Sequence, residues 1–281
     1  MDDLNTVITQ IYPFFALGIL VEAIWYFLVR KEHYPWGESF ASLVIFVSRF
    51  LVSGIQHSII GGIFSFIYEH RFFTIELNNL LSWSLLFFGS EFFYYWYHRF
   101  AHTVRWFWVE HNVHHTPEKI TLSAAYRLGL FGFLAGAWIF NAPLVLLGFH
   151  PLGVVSMIAL NLLYQFWLHN DIIPKLGWIE GIFNTPSNHR VHHASNEEYL
   201  DKNFGGILMI YDRLFGTYAE EPADQNLKYG ITKPFNTLNP MVLAFGEFGR
   251  LIKDLSKARS PKEFWGYLFL KPGWKPSSQL D

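Results

Sequence analysis

The chain has 281 residues, half of them apolar, 16% charged and 19% aromatic, with a net charge of −2. Charged residues fall well below the roughly 25% of soluble domains, and the near-neutral balance leaves no basic footprint for nucleic acid. Cysteine is missing, which excludes disulfides, thiol catalysis and zinc–thiolate sites and leaves thirteen histidines for metal chemistry.

Spanning a bilayer takes about 20 mostly apolar residues. Five stretches meet this: residues 11–29, 41–67, 80–97, 128–149 and 152–168. The first follows an acidic start, Met1-Asp2-Asp3, and is too long for a cleavable signal, so it reads as a span. Only His150-Pro151 separates the last two, a tight helical hairpin, and Pro143 kinks the fourth. Arg30, Lys31, Arg99, Arg105, Lys119, Arg127 and the C-terminal third fall on one side, and only Arg71 on the other. Lys and Arg gather on the inner face, so the first group is cytosolic. Glu22 and Arg49 interrupt the first two spans at similar depth, and intramembrane charges pair, so the two are expected in contact.

After Asn170 the chain turns polar. Residues 240–258 have the pattern of an amphipathic helix on the membrane surface, and Pro272-Gly273-Trp274-Lys275-Pro276 makes an irregular tail. No internal repeat is present. The expected fold is all-α: a multi-span transmembrane helical bundle with a cytosolic, histidine-rich helical cap holding a dinuclear metal site. Three parts are expected: membrane helices over 1–79, a catalytic unit over 80–220, and a cytosolic or membrane-surface tail over 221–281.

Three short runs hold eight histidines: His98 and His102, then His111, His114 and His115, then His189, His192 and His193. Positions three or four apart share a helix face, so each run can aim its imidazoles at one region. The first two runs follow the third span, and the last follows the fifth, so all three converge at the inner interface. His169 ends the fifth span at the same level and is expected as a ninth ligand. Nine imidazoles are too many for one ion, and two ions with four or five each is the natural count. Imidazole suits Zn, Cu, Fe and Ni. His33, His57, His70 and His150 stand outside the runs and read as packed or interfacial residues. Glu91, two turns before His98, and Asp171 and Asp201 are carboxylates placed to orient a ligating imidazole through its other nitrogen. Gln165, one turn before His169, is a further ligand or an orienting group. No catalytic residue beyond the metal ligands is evident, nor any cofactor-binding motif.

These histidine boxes resemble those of the fatty acid hydroxylase and sterol desaturase superfamily of integral membrane di-iron enzymes. Glu91-Phe-Phe-Tyr-Tyr-Trp-Tyr-His98-Arg99, Phe183-Asn-Thr-Pro-Ser-Asn-His-Arg-Val-His-His193, Asp201-Lys-Asn-Phe-Gly-Gly and Tyr211-Asp-Arg-Leu-Phe-Gly-Thr217 are similar to its alkylglycerol monooxygenase-like branch. The match covers about residues 80–215. Asn188 departs from the branch, which commonly has a histidine there. The resemblance implies metal ligands at the eight box histidines, with Gln165 and His169 matching an additional pair. It also implies two iron ions, and a separate electron donor: tetrahydropterin, cytochrome b5 or ferredoxin.

The expected activity is O2-dependent hydroxylation or desaturation of a lipid C–H bond, ether-lipid cleavage included, by a multi-pass membrane protein with its histidine site on the cytosolic side. The substrate enters from the bilayer, with Phe92, Tyr94, Tyr95, Trp96 and Trp167 as lining or packing residues. The rival readings are a dinuclear zinc hydrolase acting on a lipid, which normally needs bridging carboxylates, and a non-catalytic metal-binding membrane protein. No Asp or Glu lies inside any box.

Overall fold

A computed structural model describes residues 2–134, 136–223 and 226–277. Met1 of the acidic start lies outside them. The described residues are helical, with isolated β-bridges and no strand. Helix α1 (Asp2–Trp25) runs into a π-helical turn, Tyr26–Arg30, which stops at Lys31 in the left-handed conformation. Helix α2 (Trp36–Glu69) returns over 34 residues, a length of about 51 Å. These two helices hold the segments long and apolar enough to cross a membrane, Pro13–Arg30 and Trp36–Glu69. Their outer faces present bare apolar side chains. Phe14 is 71% exposed, Leu51 76% and Ile55 70%. A soluble surface rarely leaves such a band uncovered.

Glu22 and Arg49 do not meet. The Glu22 carboxylate accepts from the Tyr34 hydroxyl and the Leu122 amide, each at 2.9 Å. Arg49 donates to the Gly129 carbonyl. Both charges are held by nearer groups on the loops that fold back against the two helices.

Helix α3 (Leu80–Thr103) starts at Asn79, whose side chain caps the Ser82 amide at 3.0 Å. Val104 breaks it in an extended conformation, and α4 (Arg105–His115) follows. The expected fourth span is not one helix. Its first part, with Gly129, Gly132 and Gly136, turns on itself, and only Ala137–Leu147 (α5) is helical. Eleven residues make about 16 Å, too short to cross alone. The turning segment finds partners on side chains. Gln56 takes the Leu130 carbonyl and the Phe133 amide, Glu110 accepts from the Phe131 amide, and Trp106 donates to the Leu134 carbonyl. Irregular backbone removed from water is tolerated only when its polar groups are satisfied in this way. Helix α6 (Pro151–Phe166) follows a turn at Gly148, where φ is +125° and a Cβ would strike the Phe73 carbonyl.

Helix α3 is the hub, packed against α4, α5 and α6. Leu86 of α3 lies in one core with Phe64, Leu144, Val145, Phe149 and Val154. Beyond α6 come α7 (Pro186–His192), capped by Thr185, and the short α8 (Ile210–Leu214). Helix α9 (Pro240–Leu255) and α10 (Pro261–Phe269) close over α4 through Val109, Leu251 and Leu268. The amphipathic pattern at 240–258 thus places its apolar stripe on α4 and α2, with Met241 and Ile252 left exposed.

Candidate metal centre

Nine histidines come together beneath α3 in two sets. His98, His102, His111, His115 and His192 have ligand nitrogens within 4.8 Å of one another, and so do His114, His169, His189 and His193. Adjacent His114 and His115 go to different sets because neighbours on a helix point about 100° apart. In the third run His192 joins the five, while His189 and His193, one turn apart, join the four. His33, His57, His70 and His150 belong to neither set. His150 instead caps α6 through Nδ1.

Within each set the Nε2 atoms face each other. His111 Nε2 lies 3.0 Å from those of His98 and His102 and 3.1 Å from that of His115. His169 Nε2 lies 3.1 Å from that of His114 and 2.9 Å from that of His189, which is 3.1 Å from that of His193. Two nitrogens each about 2.1 Å from a common ion, at right angles, stand about 3.0 Å apart, so the spacing is that of ligand edges. His192 Nε2 is buried with no hydrogen-bond partner. Such an orphan fits the role of a metal ligand.

Four of the nine opposite ring nitrogens are tied to backbone, while His189 Nδ1 is buried without a hydrogen-bond partner. His98 Nδ1 donates to the Phe204 carbonyl at 2.8 Å, His114 to Arg127 at 3.2 Å, His169 to Gln165 at 2.8 Å and His192 to Lys202 at 3.0 Å. With the proton on Nδ1, each Nε2 lone pair is free to face the site. Burial is the main force on their protonation. It pushes His111 down to about 3, helped by neighbouring His192, and His169 and His192 down to about 4. All nine rings are therefore set up as neutral donors at pH 7.

The carboxylates expected to orient imidazoles lie elsewhere, with one exception. Glu91 touches no histidine. It accepts from the Asn161 amide at 2.5 Å and from the Ile207 and Leu208 backbone amides at 2.8 and 2.9 Å. Asp171 accepts from the Tyr26 hydroxyl at 2.9 Å and pairs with Arg30 at 2.7 Å, tying the end of α1 to the segment after α6. Asp201 stands 3.8 Å from His102 Nδ1, with Lys271 at 3.6 Å on its other side. The Gln165 side chain bonds Asn161 and Tyr94, while its backbone carbonyl takes His169. The reason is geometric: a carbonyl one turn back, or on a loop crossing the site, already stands where a carboxylate would have to reach.

The groups missed by sequence reasoning are those that hold the 201–208 segment. Asp212 accepts from the Phe204 and Gly205 amides at 2.8 and 2.7 Å. Asn203, with φ +57°, is tied to Asn188 and Ala219, and Asn184 donates to the Gly205 carbonyl at 2.7 Å. Asn188, where the branch commonly has histidine, donates to the Glu180 and Phe183 carbonyls. Asn161 did carry a signal, an amide in an apolar run one turn before Gln165. Of the aromatic residues considered for a channel, Phe92, Tyr95 and Trp96 pack on Phe215 of the segment after α8. Trp167 packs on Tyr164, and Tyr94 leans on His98.

Exposure differs between the sets. His102 and His111 are half-buried, whereas all four of the smaller set are closed off.

Residues 83–217 match the family model for fatty acid hydroxylase. Over 281 aligned residues, 98% of this chain, it is 34% identical to alkylglycerol monooxygenase of Homo sapiens, covering 62% of that protein. It is 33% identical to the Danio rerio alkylglycerol monooxygenase, covering 98% of this chain and 61% of that one. It is also 31% identical to an ornithine lipid hydroxylase of Rhizobium tropici, over 51% of this chain and 43% of that protein. The chain thus spans about three-fifths of the length of the alkylglycerol monooxygenases. No solved structure is significantly similar. Residues 83–217 thus form a fatty acid hydroxylase domain, and alkylglycerol monooxygenases are homologues of nearly the whole chain.

Proposed function

We propose that this fatty acid hydroxylase family protein is a multi-pass membrane oxidoreductase whose two histidine sets hold two iron ions and which hydroxylates a lipid C–H bond with O2 and two electrons. The observation that carries the reading is the donor set: five and four imidazoles, pre-set as neutral ligands, with no carboxylate in either group. A dinuclear hydrolase normally uses a bridging carboxylate, and a transport path would string its ligands across the membrane. Family and homologues point the same way, toward lipid hydroxylation rather than hydrolysis.

His98, His102, His111, His115 and His192 would hold one ion, and His114, His169, His189 and His193 the other. Bound iron would supply O2 activation and removal of hydrogen from an unactivated carbon. The protein's part is placement. Carbonyls of Phe204, Arg127, Gln165 and Lys202 fix the ring orientations. The closed four-histidine side excludes water. The five-histidine side, where His102 and His111 are the least buried of the nine rings, is the side from which substrate would approach. The substrate is an amphiphilic lipid, and cleavage of an ether lipid follows if the hydroxylated carbon bears the ether oxygen. The same ligand set would serve desaturation. Electrons come from a separate donor, pterin or protein. The positive charges of Arg30, Lys119 and Arg127 near the site support a cytosolic orientation.

The test is elemental analysis of the detergent-purified protein together with O2 uptake on added lipid. Two irons per chain and lipid-dependent uptake support the reading. Zinc that iron reconstitution does not displace, with no uptake, would sink it in favour of a hydrolase.

A further inference from the structure

We propose that Glu91 is a positioning residue for both histidine sets at once, acting through a one-way hydrogen-bond chain that joins α3, α6 and the 201–208 segment. The inference rests on the dinuclear reading above. One Glu91 oxygen accepts both the Ile207 and Leu208 amides. Those residues end the segment whose Phe204 carbonyl orients His98 and whose Lys202 carbonyl orients His192, both of the five-histidine set. The other oxygen accepts the Asn161 amide. Asn161 Oδ1 accepts from Gln165 Nε2, and Gln165 Oε1 accepts from the Tyr94 hydroxyl at 3.0 Å. Gln165 is the residue whose backbone carbonyl orients His169 of the four-histidine set.

The chain has a direction. A carboxylate has only acceptors, so it fixes which end of the Asn161 amide faces it. That fixes the Gln165 amide and makes Tyr94 the donor. All members are buried or half-buried between α3 and α6, where a mismatched donor has no water to turn to. The approach is close: a Cβ on Gly206 would collide with the Asn161 amide, so the segment can lie against α6 only because glycine stands there.

Glu91→Gln should break this logic. Its amide must present oxygen to the two backbone N–H groups, and then its NH2 faces the NH2 of Asn161. Asn161→Asp alone sets two carboxylates against each other. The double variant E91Q/N161D restores every pairing with the roles exchanged: the introduced glutamine amide donates to the new carboxylate, which still accepts from Gln165. A residue that merely fills space would show no such rescue.

The experiment uses the metal-stripped full chain in detergent, titrated with Co(II) and followed by visible absorption, with bound cobalt counted by elemental analysis. Two cobalt ions on the wild type test the dinuclear reading itself. The variants then test Glu91. E91Q and N161D should each weaken both sites by about 10- to 100-fold. E91Q/N161D should bring both back near wild type. Leu144→Ala, a cavity in the α3–α5 core away from the histidines, should destabilise the fold and leave both affinities unchanged. The proposal is overturned if E91Q binds both ions like wild type, if it weakens only one, if L144A loses as much metal, or if the double variant is no better than the singles. Should E91Q fail to fold, a folded double variant with two ions supports the proposal, and an unfolded one overturns it.

Discussion

His98 and Phe204 meet across 106 positions of chain: the ring Nδ1 donates to the backbone carbonyl at 2.8 Å. One bond thus locks a histidine of the third helix to a loop that follows the last histidine run. The same loop takes His192 through Lys202. The five-histidine set is therefore built by tertiary closure of residues 201–208, whereas His169 of the other set is oriented within its own turn.

The sets should come apart separately. His111 carries the closest Nε2 contacts of the five and His169 those of the four. His111→Ala is expected to lower bound metal from two ions to one, and His169→Ala likewise but from the other set, with O2 uptake lost in both. Loss of both ions in either variant would mean one coupled centre rather than two separable sets. His57→Ala, outside both, should retain metal and activity.

Acid should destabilise the metal-free protein steeply. His111 at about 3 and His169 and His192 at about 4 all lie below the ordinary histidine value of 6.5. Below 6.5 the unfolded chain takes up protons that the folded chain refuses. The stability these neutral rings contribute is complete above 6.5 and falls as pH drops toward 4, by about 1.4 kcal/mol per pH unit for each ring. Thermal unfolding of stripped protein between pH 8 and pH 5 should show the fall, with the metal-loaded form shifted to lower pH. A flat profile in the stripped protein would contradict the burial of these rings.

Much of this site was legible because imidazoles at spacings of three and four announce a shared helix face, and nine of them need two ions. The division into five and four was not, since which of His114 and His115 turns which way depends on where α6 and α7 dock. The orienting groups were legible least. Backbone carbonyls of Phe204, Lys202 and Arg127 carry no residue signature, so carboxylates such as Glu91 and Asp171 drew attention instead. The apolar run 128–149 read as one span because composition hides its break. Its glycines at 129, 132 and 136 were the available sign, and the partners that make the turn tolerable, Gln56, Glu110 and Trp106, lie on other helices.

Arg190 sits between His189 and His192 in α7 and bonds Glu221 through Nε and Nη2 at 2.5 and 2.7 Å, while its Nη1 holds the Asn170 and Ile173 carbonyls. Both partners are nearly fully buried. Arg190→Ala leaves a buried carboxylate without a counter-charge, a loss of about 3–5 kcal/mol. Arg190→Ala with Glu221→Leu removes both charges and should recover most of that, without regaining the carbonyl bonds. Chemical denaturation of the three proteins checks the order. Equal stability of Arg190→Ala and wild type would show that Glu221 is not buried as described.

The absence of cysteine makes topology testable on an otherwise unaltered chain. If α1 and α2 cross the bilayer with the histidine site inside, the turn after α2 is external and the segment before α9 is internal. His70→Cys should then react with a membrane-impermeant maleimide in intact cells, and Lys228→Cys only after permeabilisation; both side chains lie on exposed or half-buried loops. The bare faces of α2 supply the complement. Leu51→Cys and Ile55→Cys, at side chains 76% and 70% exposed, should resist the aqueous reagent in both states, and spin labels there should be relaxed by a lipid-soluble agent such as O2 rather than by a water-soluble metal chelate. Labelling of His70→Cys and Lys228→Cys from the same side would place the whole protein on one face of the membrane, with α2 lying in the interface.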